Sequence, residues 1–173
     1  NINYLDTAPL YGHGRSEQYL GAALARVPRD EYVLSTKVGR LLIPTDVVPN
    51  FETFANLPHM DTIFDYSRDG ILRSLDESLQ RLKLDRVDIV YIHDPDDHYN
   101  QAISEAYPTL ADLRSQGVIN AIGVGMNMWQ PLAKFAREGD FDCLLLAGRY
   151  TLLDQSALSE LMPLCERKGV SVI

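Results

Sequence analysis

Cysteine is scarce, with two residues in a chain of 173, Cys143 and Cys165, each inside an apolar run (DCLLLAG and LMPLCERKG). That is neither the density of a secreted disulfide scaffold nor the paired spacing of a zinc site, so both read as buried free thiols. Long hydrophobic runs are missing too. No stretch reaches the roughly 18 apolar residues of a membrane-spanning helix, and no basic segment with an apolar core opens the chain. Neither a membrane span nor a secretory signal is therefore expected, and a reducing cytoplasm is the expected compartment. Positive charge is in deficit, with 16 Lys and Arg against 24 Asp and Glu and a formal net charge of -8. Such a field repels phosphate, which argues against nucleic acid and anionic membranes as partners and leaves small molecules or other proteins.

What is present is enough apolar material, 46% of the residues, to bury a core of domain size. Short β-branched runs alternate with segments of helical period. Strands are predicted at Ile2-Leu5, Tyr32-Thr36, Asp88-Ile92, Ala121-Gly125, Cys143-Leu146 and Val170-Ile173. Being nearly all apolar, they suit parallel strands covered on both faces. Helices are predicted near Ser16-Arg26, Ser67-Leu82, Gln101-Gln116, Gln130-Glu138 and Gln155-Lys168, with stops at Gly117, Gly139 and Gly169. Ile103, Tyr107, Leu110 and Leu113 fall on one helical stripe and should face the sheet. Ser16 is expected to cap the first helix.

One segment breaks the rhythm. Gly39 to Asp65 holds three prolines, no sustained period and many apolar residues, and is too long for an ordinary connection. A functional loop is expected there, with Phe51, Phe54 and Phe64 as candidate pocket walls. The repeated βα order fits an α/β fold, either an open doubly wound sheet or part of a (β/α)8 TIM barrel.

The polar residues decide between these. The run INYL leads into Asp6 and then TAPLYG with Tyr11, YVLST leads into Lys37, and DIVYI leads into His93. Three consecutive strands thus end on titratable side chains, as in a barrel whose site is built at the C-terminal ends of its strands. A carboxylate, a phenol, an amine and an imidazole at one rim form an acid-base set. The run HDPDDH (His93 to His98) has the residue types of a metal site, but a proline-containing loop at a strand end accounts for it, and no metal is expected. The glycines of GHGRSE and GVG are too few for a phosphate-binding fingerprint.

YLDTAPLYG, STKVG and YIHDPD together resemble the catalytic signatures of the aldo-keto reductase superfamily, from its second barrel strand to its seventh. The pieces LDTAPLYG, HDPD, GVGMN and LLLAGRYTLLD look most like its aldose-dehydrogenase branch and the pyridoxal-oxidising relatives of that branch. The resemblance implies an incomplete (β/α)8 barrel of about six strands and five helices, with residues 1-173 as a single barrel domain truncated at both ends. It implies hydride transfer between NAD or NADP and an aldose, pyridoxal or similar carbonyl or alcohol. In that chemistry Tyr11 handles the proton, Lys37 stabilises the phenolate, Asp6 holds Lys37, and His93 bonds the substrate oxygen. Where the family commonly has Ser-Asn against the nicotinamide carboxamide, this sequence reads Gly125-Met126, with Asn127 one step later. Met126 and Asn127 are the cofactor-binding candidates, and Ala147 stands where the family's glutamine is usual. A non-catalytic barrel that keeps the NADP site as a regulatory module is the alternative of another class. Six strands leave two open edges, so activity is expected of the complete barrel and not of these strands alone.

Overall fold

In the computed structural model, residues 2–47, 49, 54 and 56–173 are described. The elements run β1 (Tyr4–Asp6), α1 (Arg15–Leu24), β2 (Val33–Val38), β3 (Arg40–Pro44), β4 (Met60–Phe64), α2 (Arg68–Leu82) and β5 (Ile89–His93). They continue with α3 (Tyr99–Gln101), a π-helical turn (Ala102–Ala106), α4 (Tyr107–Ser115), β6 (Ala121–Met126), α5 (Trp129–Glu138), β7 (Cys143–Leu146), α6 (Leu161–Lys168) and β8 (Ser171–Val172).

β1, β2, β5, β6, β7 and β8 form one parallel sheet in that order. Spatial order equals chain order, with no point at which the direction of winding reverses. A doubly wound sheet has such a switch point; a barrel wall does not. The fold is therefore an incomplete (β/α)8 barrel.

Alternation along the strands sorts the side chains between two environments. Leu34, Val90, Ile92, Ile122, Val124, Leu144 and Leu146 belong to the buried cluster that also takes Ile71, Leu75, Leu110, Leu132 and Phe135 from the helices. The opposite face carries Ser35, Lys37, Tyr91 and His93, which are buried on the barrel side. Small residues open space there: a Cβ on Gly123 would meet the Tyr91 ring at 2.6 Å.

Each helix has a local cause. Ser67 caps α2, its hydroxyl accepting from the Gly70 amide at 3.1 Å. Gly21 lets α1 lie against α2, since a Cβ there would stand 2.1 Å from the Leu82 carbonyl oxygen. The stripe through α4 packs as expected, with Leu110 fully buried and Ile103, Tyr107 and Leu113 against the core.

Four expectations are corrected. Ser16 does not cap α1; it lies inside the helix, whose N-cap is Gly14, and its hydroxyl pairs with that of Thr7 at 2.9 Å. The turns of residues 8–14 bring Gly14 to the cap in the left-handed region, so the helix begins before Ser16 can serve. The predicted helix over Gln155-Lys168 is split into a 3-10 turn (Ser156–Ser159) and α6, because Pro163 has no N–H to donate to Ser159. The third helix widens to a π turn ahead of Pro108, which likewise cannot donate to Ser104. The Gly39-Asp65 loop contains an antiparallel pair, β3 with β4, in register Arg40 to Phe64 through Pro44 to Met60. Gly39, at φ 97°, turns the chain from the barrel strand into that pair, and a Cβ there would overlap the Tyr66 ring.

At the N-terminal end of the barrel, two aspartates tie neighbouring strands together. Asp88 Oδ2 accepts the Leu34 amide at 2.7 Å and Arg29 Nη2 at 2.5 Å. Asp142 Oδ2 accepts the Ile122 amide at 2.8 Å and Arg114 Nη1 at 2.7 Å. The other end of the sheet, where β1, β2 and β5 finish, is where the titratable groups gather.

Candidate active site

Asp6 is the last residue of β1, and its carboxylate is shared. Oδ2 accepts Lys37 Nζ at 2.5 Å and Oδ1 accepts the Ser35 hydroxyl at 2.6 Å. Lys37, on β2, is 1% exposed, and its ammonium also donates to the Thr7 carbonyl at 2.9 Å. A buried ammonium needs such partners, because desolvation without them costs several kcal/mol (roughly). The network continues into the barrel: the Tyr4 hydroxyl lies 2.9 Å from Ser35 Oγ and 3.3 Å from the Tyr91 hydroxyl.

Tyr11 sits in the tight turns between β1 and α1. Lys37 Nζ stands 4.6 Å from its ring centroid, and the His93 ring meets it edge-on at 6.0 Å. His93 ends β5 and is 5% exposed. Burial pushes its pKa well below the usual histidine range, and the charges of Lys37 and Arg40 push it the same way. It is a neutral imidazole at neutral pH. Its Nδ1 is buried without a partner among the described residues, while Nε2 lies 3.5 Å from Asp94 Oδ2. An orphaned acceptor is better tolerated than an orphaned N–H, and a carboxylate favours a proton facing it, so we assign the proton to Nε2.

The four residues expected at one rim are brought together. With Leu10, Asp94, Gly125, Asn127 and Ala147, three of them, Tyr11, Lys37 and His93, line a cleft of about 190 Å³; Asp6 stands behind Lys37. A larger groove of about 1100 Å³ borders Asp6 and Tyr11 and runs past Leu5, Arg15, Tyr19 and Phe54. It follows β1, which among the described residues has a strand neighbour on one side only.

The cofactor candidates fall differently. Asn127 is exposed at the lip of the cleft, whereas Met126, which also borders it, is buried with its side chain in the core cluster, and its carbonyl accepts from the Ala147 amide at 3.0 Å. Gly125 leaves ordinary contact distance, 3.7 Å, between a would-be Cβ and Lys37 Cε. A floor of Gly125, Leu145 and Ala147 with one amide at its edge suits a flat ring carrying a carboxamide.

The wall candidates divide. Phe54 lies 6.5 Å from the Tyr11 ring, and Phe64 stacks on Tyr66 and His98. Phe51 lies outside the described residues. The acidic run disperses: Asp94 pairs with Arg40 at 2.9 Å, and His98 joins the aromatic stack. Among the described residues no group of three or more His, Cys, Asp or Glu is arranged to hold a metal ion. No helix among them is long and apolar enough to cross a membrane.

Sequence reading missed Arg40, which β3 carries to the rim, and Tyr66, whose hydroxyl donates to the His93 carbonyl at 2.6 Å. Ser35 was within reach of the pattern, since two residues before Lys37 on a strand is the same face.

Residues 1–173 match the model of the Aldo/keto reductase family. The chain is 42% identical over 181 residues to a D-threo-aldose 1-dehydrogenase from Pseudomonas sp, covering 99% of this chain and 54% of that protein. It is 38% identical over 192 residues to a pyridoxal 4-dehydrogenase from Microbacterium luteolum, covering 99% and 56%. The structure of a glycerol dehydrogenase from Gluconobacter oxydans superposes with a TM-score of 0.77 at 28% identity, over 99% of this chain and 48% of that one. The chain thus spans about half the length of the curated relatives it matches.

Proposed function

Because the chain belongs to the aldo/keto reductase family, we propose that the complete protein is an NAD(P)-linked oxidoreductase acting on an aldose or a similar carbonyl or alcohol, oxidising the sugar at C1 to a lactone. The observation that carries the reading is the meeting of Tyr11, the Asp6–Lys37 pair and a neutral His93 around one cleft. The 42% identity to a D-threo-aldose 1-dehydrogenase supports the substrate class.

Tyr11, as phenolate, accepts the proton of the C1 hydroxyl while the C–H bond breaks and the C=O bond forms. Lys37 stabilises the phenolate by its charge, and Asp6, held in turn by Ser35, fixes Lys37. His93, through its Nε2 N–H, donates a hydrogen bond to the substrate oxygen and keeps its proton. Asn127, with the Gly125-Met126 backbone, would hold the nicotinamide end of NAD or NADP. When bound, that cofactor supplies the acceptor for the two electrons and hydrogen leaving the substrate carbon. A reducing compartment such as the cytoplasm fits the two buried free thiols.

The test is turnover. The complete protein is incubated with NAD+ or NADP+ and L-fucose, D-arabinose or pyridoxal, and absorbance of the reduced nicotinamide is followed. Aldose-dependent reduction is expected. Turnover of pyridoxal alone would favour the second reading, which the 38% identity to a pyridoxal 4-dehydrogenase supports. Cofactor binding without turnover of any carbonyl or alcohol would make the barrel a regulatory module.

A further inference from the structure

Asp94 follows His93 in a backbone conformation few non-glycine residues adopt, with φ 43°. That costs of order 1 kcal/mol and persists where surrounding contacts hold it. Here they do: the Asp94 amide donates to the Gly125 carbonyl at 2.9 Å, and the Tyr66 hydroxyl lies 3.0 Å from the Asp94 carbonyl and 2.6 Å from that of His93. The backbone bend brings the Asp94 carboxylate to the wall of the cleft, beside Tyr11, Lys37 and His93.

The two carboxylate oxygens are used unequally. Oδ2 accepts Arg40 Nη2 at 2.9 Å and lies 3.5 Å from His93 Nε2. Oδ1 has no hydrogen-bond partner among the described residues, although the side chain is only 23% exposed. Arg40 is itself fixed, its guanidinium lying over the Phe64 ring at 4.5 Å across the β3–β4 pair. The cleft therefore presents an anchored anion with one open acceptor, next to the imidazole that serves the reacting oxygen.

The geometry points to Asp94, anchored by Arg40, as the group that accepts a hydrogen bond from the hydroxyl on the substrate carbon adjacent to the reacting one. The ligands it selects are α-hydroxy carbonyl compounds and their cyclic hemiacetals. This rests on the hydride-transfer reading above, because that reading puts the reacting oxygen at Tyr11 and His93. With the oxygen there, the vicinal hydroxyl is the nearest substrate donor to Asp94. The β3–β4 pair gains a role as well: it delivers the cation that keeps the acceptor in place.

The experiment compares an aldose with its 2-deoxy counterpart in the complete protein, wild type and Asp94→Asn, recording both kcat/KM and the equilibrium Kd of each sugar. Asparagine suits the left-handed backbone and keeps the side-chain volume, removing the charge. The wild-type preference for the 2-hydroxy sugar should fall about 10-fold in the variant, the scale of one hydrogen bond to a charged acceptor. Arg40→Gln is the second variant, and it should lower the same preference by freeing the carboxylate; it decides alone if Asp94→Asn does not fold. A preference unchanged in both variants, or equal losses on both sugars, would overturn the assignment. A binding preference that collapses in a protein with no turnover would support the subsite while removing the oxidation reading. Turnover with no preference between the sugars would do the reverse, and absence of both binding and turnover would overturn both.

Discussion

Lys37 and Asp6 meet at 2.5 Å although 31 residues separate them in the chain, and the lysine is 1% exposed while the aspartate side chain is 23% exposed. The pair joins the ends of β1 and β2, so it is a structural contact as well as part of the chemistry. Asp6→Ala takes the carboxylate from a buried ammonium and leaves the Thr7 carbonyl as its one hydrogen-bond acceptor among the described residues, and the expected loss of stability is about 3 kcal/mol or more. Lys37→Met together with Asp6→Ala should lose less than the sum of the single changes. A double-mutant cycle by urea unfolding of the complete protein measures this; additive losses would mean the pair does not interact.

Tyr11→Phe keeps the ring beside Lys37 and His93 and removes only the hydroxyl. Turnover in the complete protein should fall by about 10²-fold or more, the lower range for a positioned acid-base group, with cofactor affinity retained. Near-normal turnover would remove Tyr11 from the proton-transfer role.

His93 should give stability a pH slope of defined sign. Its pKa is lower in the folded state than the ordinary 6.5 it regains on unfolding. Below about pH 6.5 the unfolded chain therefore binds a proton that the folded chain does not, and stability falls as pH falls, by at most about 1.4 kcal/mol per pH unit for one site. Above that pH the group adds no slope. Comparing unfolding midpoints of wild type and His93→Gln between about pH 7 and pH 5 isolates its share, and identical slopes would disprove it.

Glu17 is fully buried on α1, where Oε1 accepts the Thr36 hydroxyl at 2.7 Å and Oε2 accepts Arg81 Nε at 2.6 Å. One carboxylate thus ties α1, β2 and α2 together. Glu17→Ala should destabilise by about 3–5 kcal/mol, by stranding the arginine and opening a cavity. Glu17→Gln, which keeps the Thr36 bond, should lose less. Equal losses in urea unfolding would mean that volume and not charge pairing matters at this position.

The HDPDDH run shows how far residue types carry. Histidines and aspartates close in sequence have the residue types of a metal site without being one, and the side chain of Asp94 goes to Arg40 while His98 goes to Phe64 and Tyr66. The cofactor candidates repeat the lesson, since a strand alternates its faces and adjacent residues at its end point apart: Asn127 reaches the cleft and the Met126 side chain enters the core.

The sequence by itself determined the order of βα units, the parallel character of their apolar strands, and the rim of Asp6, Tyr11, Lys37 and His93. Those features follow from local periodicity and from which residue ends which strand, and neither needs distant contacts. Tertiary structure alone decided the pairing of β3 with β4, the arrival of Arg40 beside Asp94, and the neutrality of His93. The β3–β4 pair is held by cross-strand partners that have no period of their own, and a charge state depends on burial and on cations from other elements. Side chains far apart in the chain set these features, and no local pattern encodes that proximity.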